Sequence, residues 1–158
     1  MMVLYRVDDR LVHGQVAEGW VPHLKADELA VVSDEIAADP LRSDIMRFAT
    51  PEGVDLKIMT VEQASQYLPQ AETSARKVLL LLPGLAEAVA LLGKGLKIPS
   101  LNIGGMHYSA GKNLSIGKAI FLNDADCSAL KALAAAGIKI EGRGVPSDTP
   151  LDLIGAIA

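Results

Sequence analysis

The sequence predicts a single-domain α/β protein, with a doubly wound, mostly parallel open sheet of about seven strands, one of them antiparallel, flanked by helices. Short apolar runs alternate with segments of helical periodicity along the whole chain. One run, residues 78–82, is apolar without interruption, which is typical of a central strand buried on both faces. No linker or repeat divides the 158 residues, so we predict one domain over 1–158.

The first half of the chain begins the alternation. Strands are predicted at 3–7, 29–32 and 54–59. Helices are predicted at about 14–24, 40–49 and 61–68. Asp39 and Pro40 suit the N-cap and first position of the second of these helices, because aspartate accepts from free backbone N–H groups and proline has none.

The second half of the chain continues the alternation of strands and helices. Strands are predicted at 78–82, 98–103, 116–122 and 138–141. Helices are predicted at about 85–92, 124–136 and, as a short C-terminal segment, 150–157. The alanine-rich helix has Asn123 or Asp124 as its cap and Gly137 as its stop, while Gly93 ends the helix before it.

Composition restricts the function classes. The net charge is −4, with a pI near 5.3, which does not suit a broad nucleic-acid-binding surface. The one cysteine, Cys127, excludes an internal disulfide and a paired-cysteine metal site, and we expect a buried thiol in a helix. We find no signal peptide and no apolar run of the roughly 20 residues that span a membrane, so we expect a cytoplasmic protein.

Ligands of open α/β sheets bind at the carboxyl ends of the strands, near a switch in strand order. That rule selects three loops, at 8–14, 33–35 and 102–106. The first is the densest polar segment of the chain and reads Asp8-Asp9-Arg10-Leu11-Val12-His13-Gly14-Gln15.

His13 is the candidate nucleophile of this loop. A neutral imidazole attacks phosphorus without strong activation, and Arg10 offers a guanidinium for the phosphoryl oxygens. Asp9 is expected to keep one imidazole nitrogen protonated, while Gly14 and Gln15 supply backbone N–H groups at the start of a helix. Phosphoryl transfer requires little beyond such positioning.

A plainer interpretation stays open. The loop could be solvated, with Asp8 or Asp9 paired to Arg10 and His13 capping the helix. Arg6 favours the functional interpretation, because arginine is rare inside a buried strand and this one lies close to the crevice.

Other residues of the selected loops have weaker roles. Ser33 and Asp34 form either a helix-capping turn or a second wall of the crevice. Gly104 and Gly105 also belong to the wall and are expected to form a tight turn with positive φ.

Metal and nucleotide signatures are absent. His23 is predicted at the surface, and His107 on an exposed loop where it could still line the crevice. Their spacing indicates no metal site, and no phosphate-binding glycine loop or dinucleotide fingerprint supports a nucleotide-dependent enzyme.

The chain resembles the IIB subunits of the mannose/fructose/sorbose family of sugar phosphotransferase systems. The similarity lies in five segments: residues 6–16 (RVDDRLVHGQV), Trp20, 31–37 (VVSDEIA), 102–106 (NIGGM) and 145–148 (VPSD). The resemblance implies that His13 accepts a phosphoryl group on Nδ1 from a phosphohistidine of a IIA protein. His13 would then pass the group to a sugar entering through the membrane components IIC and IID, with Arg6, Arg10 and Asp9 bordering it and no cofactor.

Such a protein would associate peripherally with the membrane transport complex, and a homo-oligomer is possible. Two alternatives stay open, a regulatory phosphorelay without transport and a module that binds phosphate non-covalently. The sequence does not identify the sugar or the IIA partner.

Overall fold

A computed structural model describes residues 1–158. Six strands form one sheet in the order β3-β2-β4-β1-β5-β8, and every neighbouring pair is parallel. The strands are β1 Met2–Asp8, β2 Glu28–Val32, β3 Asp55–Met59, β4 Val78–Leu82, β5 Ser100–Gly105 and β8 Lys139–Gly142. The predicted fold class is confirmed, and β4, predicted as central, is buried along its whole length.

The predicted strand at 116–122 is instead a hairpin. Its arms are β6 (Leu114–Ile116) and β7 (Ile120–Leu122), which pair antiparallel outside the main sheet. Gly117 adopts a φ of +65°, a left-handed conformation that reverses the chain between the arms. The antiparallel pairing therefore lies in this hairpin, and a bridge between Met106 and Ile120 attaches it to the end of β5.

Helices connect the strands. A π-helical turn, Gln15–Trp20, leads into the first α-helix. The α-helices are α1 Val21–Leu24, α2 Asp34–Ala37, α3 Pro40–Ala49, α4 Val61–Glu72, α5 Leu85–Gly93, α6 Asp124–Ala135 and α7 Leu153–Ile157. No helix is long and apolar enough to cross a membrane.

Local chemistry explains the helix ends. Asp39 caps α3 as predicted, and Asn123 rather than Asp124 caps α6, in a reciprocal capping box with Asp126. Helix α4 continues past the predicted end at 68 because Ala71 packs into the core about one turn beyond Leu68.

The sheet separates two apolar cores. Helices α4 to α7 cover one face, and the 24 residues buried there form the larger core. The π-helical turn, α1, α2 and α3 cover the other face, where Val16, Trp20, Ile36 and Met46 pack on the strands. Cys127 is only partly buried and packs against the rim of the larger core.

The switch in strand order falls between β1 and β5. The chain leaves β1 toward the β2 side of the sheet, whereas it leaves β5 toward β8. Connections that diverge in this way open a crevice at the carboxyl ends of the two strands. The loops after Asp8 and after Gly105 meet there, because the Asp9 backbone N–H donates to the Gly105 carbonyl at 3.1 Å.

Candidate functional site

The loop after β1 is fixed by two buried side chains. Leu11 and Val12 are buried in the smaller core, at 1% and 7% exposure. Leu11 has a φ of +57°, a left-handed conformation that costs a residue with a Cβ roughly 1–2 kcal/mol. Burial of its side chain offsets this cost. The reversed backbone leaves Arg10 and His13 partly accessible on either side of the buried pair.

Asp8 is the centre of the polar cluster. Its side chain is fully buried, and its carboxylate oxygens accept from three other residues. The donors are Arg6 Nη2 at 3.0 Å, the Arg10 backbone N, Nε and Nη2 at 3.0, 3.1 and 3.1 Å, and His13 Nε2 at 2.9 Å. Burial by itself would raise the pKa of Asp8, but the hydrogen bonds from His13 and Arg10 and the charge of Arg6 outweigh it, so that the pKa lies well below its usual range. Asp8 is therefore ionised at neutral pH.

This carboxylate sets the tautomer of His13. An ionised carboxylate only accepts hydrogen bonds, so the Nε2 atom facing it carries the proton. Nδ1 then keeps its lone pair, and it accepts a long hydrogen bond of 3.3 Å from the Gln15 backbone N–H. The ring is 17% exposed. His13 thus has one nitrogen held by protein and a second that is free to act as a nucleophile.

The prediction that Asp9 contacts His13 is wrong. Asp9 instead accepts from the backbone N–H of His107 at 2.7 Å and pairs with Nδ1 of the same residue. Asp8, the last residue of β1, lies beside the imidazole, whereas the chain turns at Asp9 and directs its carboxylate to the loop after β5. His107 is thus at the crevice rim, held by Asp9, and its ring is about half exposed.

Arg10 lies at the surface beside the imidazole. Its guanidinium is one-third exposed, and Nη2 donates both to Asp8 and to Gln15 Oε1, the latter at 2.8 Å. Arg10 and His13 share the same oxygen of Asp8, which places a positive charge next to the imidazole.

Arg6 is not part of the crevice wall. It is fully buried, with Nη1 on Asn102 Oδ1 at 2.6 Å and on the Arg143 carbonyl at 2.9 Å. Nη2 is bound to Asp8 and to the Gly144 carbonyl at 2.9 Å. Because both Nη atoms are occupied and none of the side chain is accessible, Arg6 supports Asp8 from behind and ties β1 to the segment after β8.

The two glycines at the end of β5 are required by space. Neither has a positive φ, so the predicted tight turn is wrong. A Cβ on Gly104 would lie 2.0 Å from Cζ of Arg6, and a Cβ on Gly105 would lie 3.2 Å from Arg10 Nη2 and from Asp8 Oδ1. Both glycines therefore admit the two guanidinium groups to the cluster. Gly14 has helical dihedral angles, and a Cβ there would meet no atom within 4 Å, so neither backbone conformation nor close packing requires a glycine at this position.

Ser33 and Asp34 lie outside the cluster. Strand β4 separates β2 from β1, so the end of β2 is two strand spacings, about 10 Å, from the His13 loop. Ser33 caps α2 by accepting from Ile36 N, and Asp34 accepts from Val61 N at 2.8 Å. With Glu87, they line a separate cavity of about 490 Å³.

Further residues of the site received no individual role from the sequence. Asn102 binds Arg6 and is its neighbour in strand register, and Trp20 Nε1 donates to the Gly144 carbonyl at 2.9 Å. Beside Gln15, a cavity of about 390 Å³ opens between the hairpin and the segment after β8, with Lys118 and Arg143 among its lining residues. A polar Asn102 within an apolar strand was a signal, like Arg6, that a buried partner exists. Lys118 and Arg143 carry no such signal.

The site has a consistent chemical character. It offers one imidazole nitrogen with a free lone pair, an adjacent guanidinium and a buried carboxylate that fixes both. His13, His23 and His107 are not brought together, and no three side chains of the type that bind metals cluster in the structure.

Fold and site together define a class: doubly wound α/β proteins that hold a histidine at the switch point between two parallel strands. The family model that matches is the PTS system sorbose subfamily IIB component, over residues 2–158. The chain belongs to this family of IIB components of the sugar phosphotransferase system.

Individual relatives of the chain are also components of sugar phosphotransferase systems. The sorbose-specific EIIB component of Lacticaseibacillus casei is 34% identical over 99% of this chain and 95% of its own length. The mannose-specific EIIAB component of Escherichia coli K12 is 34% identical over 98% of this chain, which spans only 48% of that longer protein. The crystal structure of the IIB domain of the sorbose permease from Klebsiella pneumoniae superposes with a TM-score of 0.90, at 30% identity, over 99% of this chain and 96% of the other.

Proposed function

We propose that the chain is a phosphoryl carrier whose acceptor atom is His13 Nδ1. The phosphoryl comes from a phosphohistidine of a IIA protein and passes to a sugar that enters through membrane components IIC and IID. The observation behind the proposal is the 2.9 Å contact between Asp8 and His13 Nε2, which leaves Nδ1 unprotonated.

The transfer step follows from this arrangement. The Nδ1 lone pair attacks phosphorus, and the P–N bond of the donor breaks, with its electron pair returning to the donor imidazole. His13 gains positive character as the new P–N bond forms, and Asp8 stabilises it through the Nε2–H hydrogen bond. In the onward step the same bond breaks, the electron pair returns to Nδ1, and the sugar hydroxyl forms the new bond to phosphorus and releases its proton to a base or to water.

Arg10 supplies the positive charge beside the phosphoryl group. A phosphoryl group on Nδ1 carries two negative charges near neutral pH, and the guanidinium beside it neutralises part of that charge. The Gln15 N–H, which donates to Nδ1 in the unmodified protein, can turn to a phosphoryl oxygen when the lone pair is used.

Partners and location follow from the same proposal. The chain would associate peripherally with the membrane complex, presenting the edge that contains His13. Relatives carry the names of different sugars, including mannose, sorbose, fructose and N-acetylgalactosamine, so similarity does not select one sugar.

The test is phosphorylation with phosphoenolpyruvate, enzyme I, HPr and the cognate IIA. The label should be acid-labile and base-stable, as expected for phosphohistidine, and His13→Ala should abolish it. His23→Ala is the matched control, because His23 is exposed and lies outside the Asp8 cluster, with its ring in an edge-to-face arrangement with Trp20. Normal labelling of His13→Ala would contradict the proposal.

Addition of membranes separates the alternatives. With IIC and IID present, the label should move to one sugar. Return of the label to IIA without any sugar acceptor would indicate a regulatory relay. Tight binding of inorganic phosphate without covalent label would indicate a non-covalent module.

A further inference from the structure

Gln15 contacts the polar cluster with both its backbone and its side chain. Its backbone N–H donates to His13 Nδ1 at 3.3 Å, and its Oε1 accepts from Arg10 Nη2 at 2.8 Å. The proposed transfer uses only the backbone contact. The side-chain contact joins the π-helical turn to the guanidinium that lies beside the imidazole.

The hydrogen bonds of Arg10 use three of the five N–H groups of its guanidinium. Nε has one hydrogen and donates to Asp8 Oδ1 at 3.1 Å. Nη2 has two hydrogens, and it donates to Asp8 Oδ2 at 3.1 Å and to Gln15 Oε1 at 2.8 Å. Nη1 donates to no group of the chain. Its two N–H groups are therefore the ones that remain for a phosphoryl oxygen.

The acceptor on Gln15 restrains a motion that Asp8 alone permits. Nε and Nη2 bind one carboxylate along a single edge of the guanidinium, and the plane of the group can still rock about that edge. Gln15 Oε1 lies outside this carboxylate and binds the remaining hydrogen of Nη2. Since a guanidinium only donates, the amide of Gln15 must face it with its oxygen.

We propose that Gln15 is a positioning residue, whose Oε1 fixes the plane of the Arg10 guanidinium so that Nη1 is presented to the phosphoryl group on His13. This inference rests on the proposed function, because it concerns the same transfer. Arg10 is one-third exposed, so its side chain would otherwise lose conformational freedom during the transfer step. A guanidinium that is held in place beforehand removes this cost from the barrier.

Gln15→Met tests the side chain, because methionine is similar in length and keeps the backbone N–H but lacks the amide oxygen. Single-turnover transfer from saturating phosphorylated IIA should slow by about three- to tenfold. The loss should be smaller than in Arg10→Ala, because both hydrogen bonds from the Arg10 side chain to Asp8 remain. Gln66→Met is the matched control and should transfer like the wild type, because Gln66 is exposed on α4 and its side chain forms no hydrogen bond.

A double-mutant cycle separates positioning from a general disturbance of the loop. If Gln15 acts through Arg10, Gln15→Met should change the rate by less than about twofold in a chain that already contains Arg10→Ala. A disturbed loop would instead slow transfer by the same factor with and without Arg10. The apparent affinity for phosphorylated IIA should be unchanged by Gln15→Met, because the substitution acts on the transfer step.

NMR of the unphosphorylated chain observes the guanidinium without any transfer. Two acceptors restrict the rotation of Nη2 in the wild type, so the two Nη2 protons of Arg10 should give separate signals. In Gln15→Met one acceptor is lost, and these signals should broaden or merge. Circular dichroism verifies that each variant is folded.

Three results would overturn the positioning role in a wild type whose His13 is labelled. The first is a rate of transfer in Gln15→Met that equals the wild-type rate. The second is an equal slowing by Gln15→Met with and without Arg10. The third is a pair of Arg10 Nη2 signals that Gln15→Met leaves unchanged. An unlabelled wild type would contradict the proposed function itself, and this inference with it.

Discussion

Asp8 and Asp9 are adjacent in sequence but bind different histidines, and this difference can be measured. Asp8 holds Nε2 of His13, whereas Asp9 holds the loop of His107. Asp8→Asn removes the negative charge beside Nε2, and when its amide N–H faces the ring, Nε2 accepts, the proton moves to Nδ1 and the nucleophilic lone pair is lost. We expect phosphoryl transfer from IIA to slow by roughly a hundredfold or more in Asp8→Asn.

Asp9→Asn is the matched control for this substitution. It should slow transfer far less, because it does not touch the imidazole of His13. Rates must be compared on folded protein, since removal of the Asp8 charge leaves Arg6 unpaired in the interior and can cost about 3–5 kcal/mol of folding stability. Equal losses in the two variants would show that Asp8 does not set the tautomer.

Arg10 allows a second test at the same scale. Arg10→Ala removes the charge next to the phosphoryl group and should slow transfer about tenfold or more, because a charge-assisted hydrogen bond contributes about 1.5–3 kcal/mol. Arg10→Lys should recover only part of the rate, since lysine lacks the planar fork that also binds Asp8 and Gln15. Single-turnover transfer kinetics provide the measurement, and unchanged kinetics in Arg10→Ala would make the residue structural.

At the scale of elements, the end of β5 is shaped to admit Arg6. Gly104→Ala would place a methyl group within the Arg6 guanidinium and displace it from Asp8 and Asn102. We expect this substitution to lower the free energy of unfolding by about 3 kcal/mol or more, as for other disrupted buried ion pairs.

Gly93→Ala is the comparison for this measurement. Gly93 is the last residue of α5, has no positive φ and has open space around its Cβ position. Alanine there should be neutral or stabilising by up to about 1 kcal/mol. Urea unfolding of both variants tests the difference, and equal stabilities would mean that the guanidinium can move without cost.

For the molecule as a whole, the two ends of the sheet have different tasks. The carboxyl edge holds the His13 cluster, whereas at the amino end of β2 the buried Glu28 accepts from Tyr67 at 2.6 Å and pairs with Lys57 at 3.2 Å. Tyr67→Phe removes one partner of a buried carboxylate and should cost about 1–3 kcal/mol of stability, with little effect on phosphoryl transfer. Tyr108→Phe, at an exposed tyrosine whose hydroxyl forms no hydrogen bond, should change neither. Thermal unfolding and transfer rates measure both, and a large loss of transfer in Tyr67→Phe would contradict this separation.

The sequence predicted the sheet well because strands such as 78–82 are apolar throughout and helices such as α3 and α6 begin at recognisable caps. The hairpin was not predicted, because residues 116–122 were interpreted as one strand. The left-handed φ of Gly117 reverses the chain inside that segment.

The candidate site was predicted less evenly. His13 and Arg10 lie together as expected because they share one short loop. Three features of the site were not predicted: Asp8 rather than Asp9 binds His13, Arg6 is fully buried, and Ser33 and Asp34 lie far from the cluster. They depend on strand order and on the side of a turn from which each side chain projects. A single sequence does not encode these in any local pattern.

Nδ1 of His13 is the atom that we propose accepts the phosphoryl group. Nitrogen-15 and phosphorus-31 NMR of the phosphorylated full chain identifies that atom directly. We expect the phosphorus to couple to Nδ1 of His13, with Nε2 still protonated and hydrogen-bonded to Asp8. Phosphorus on Nε2 of His13, or on His107, would contradict it.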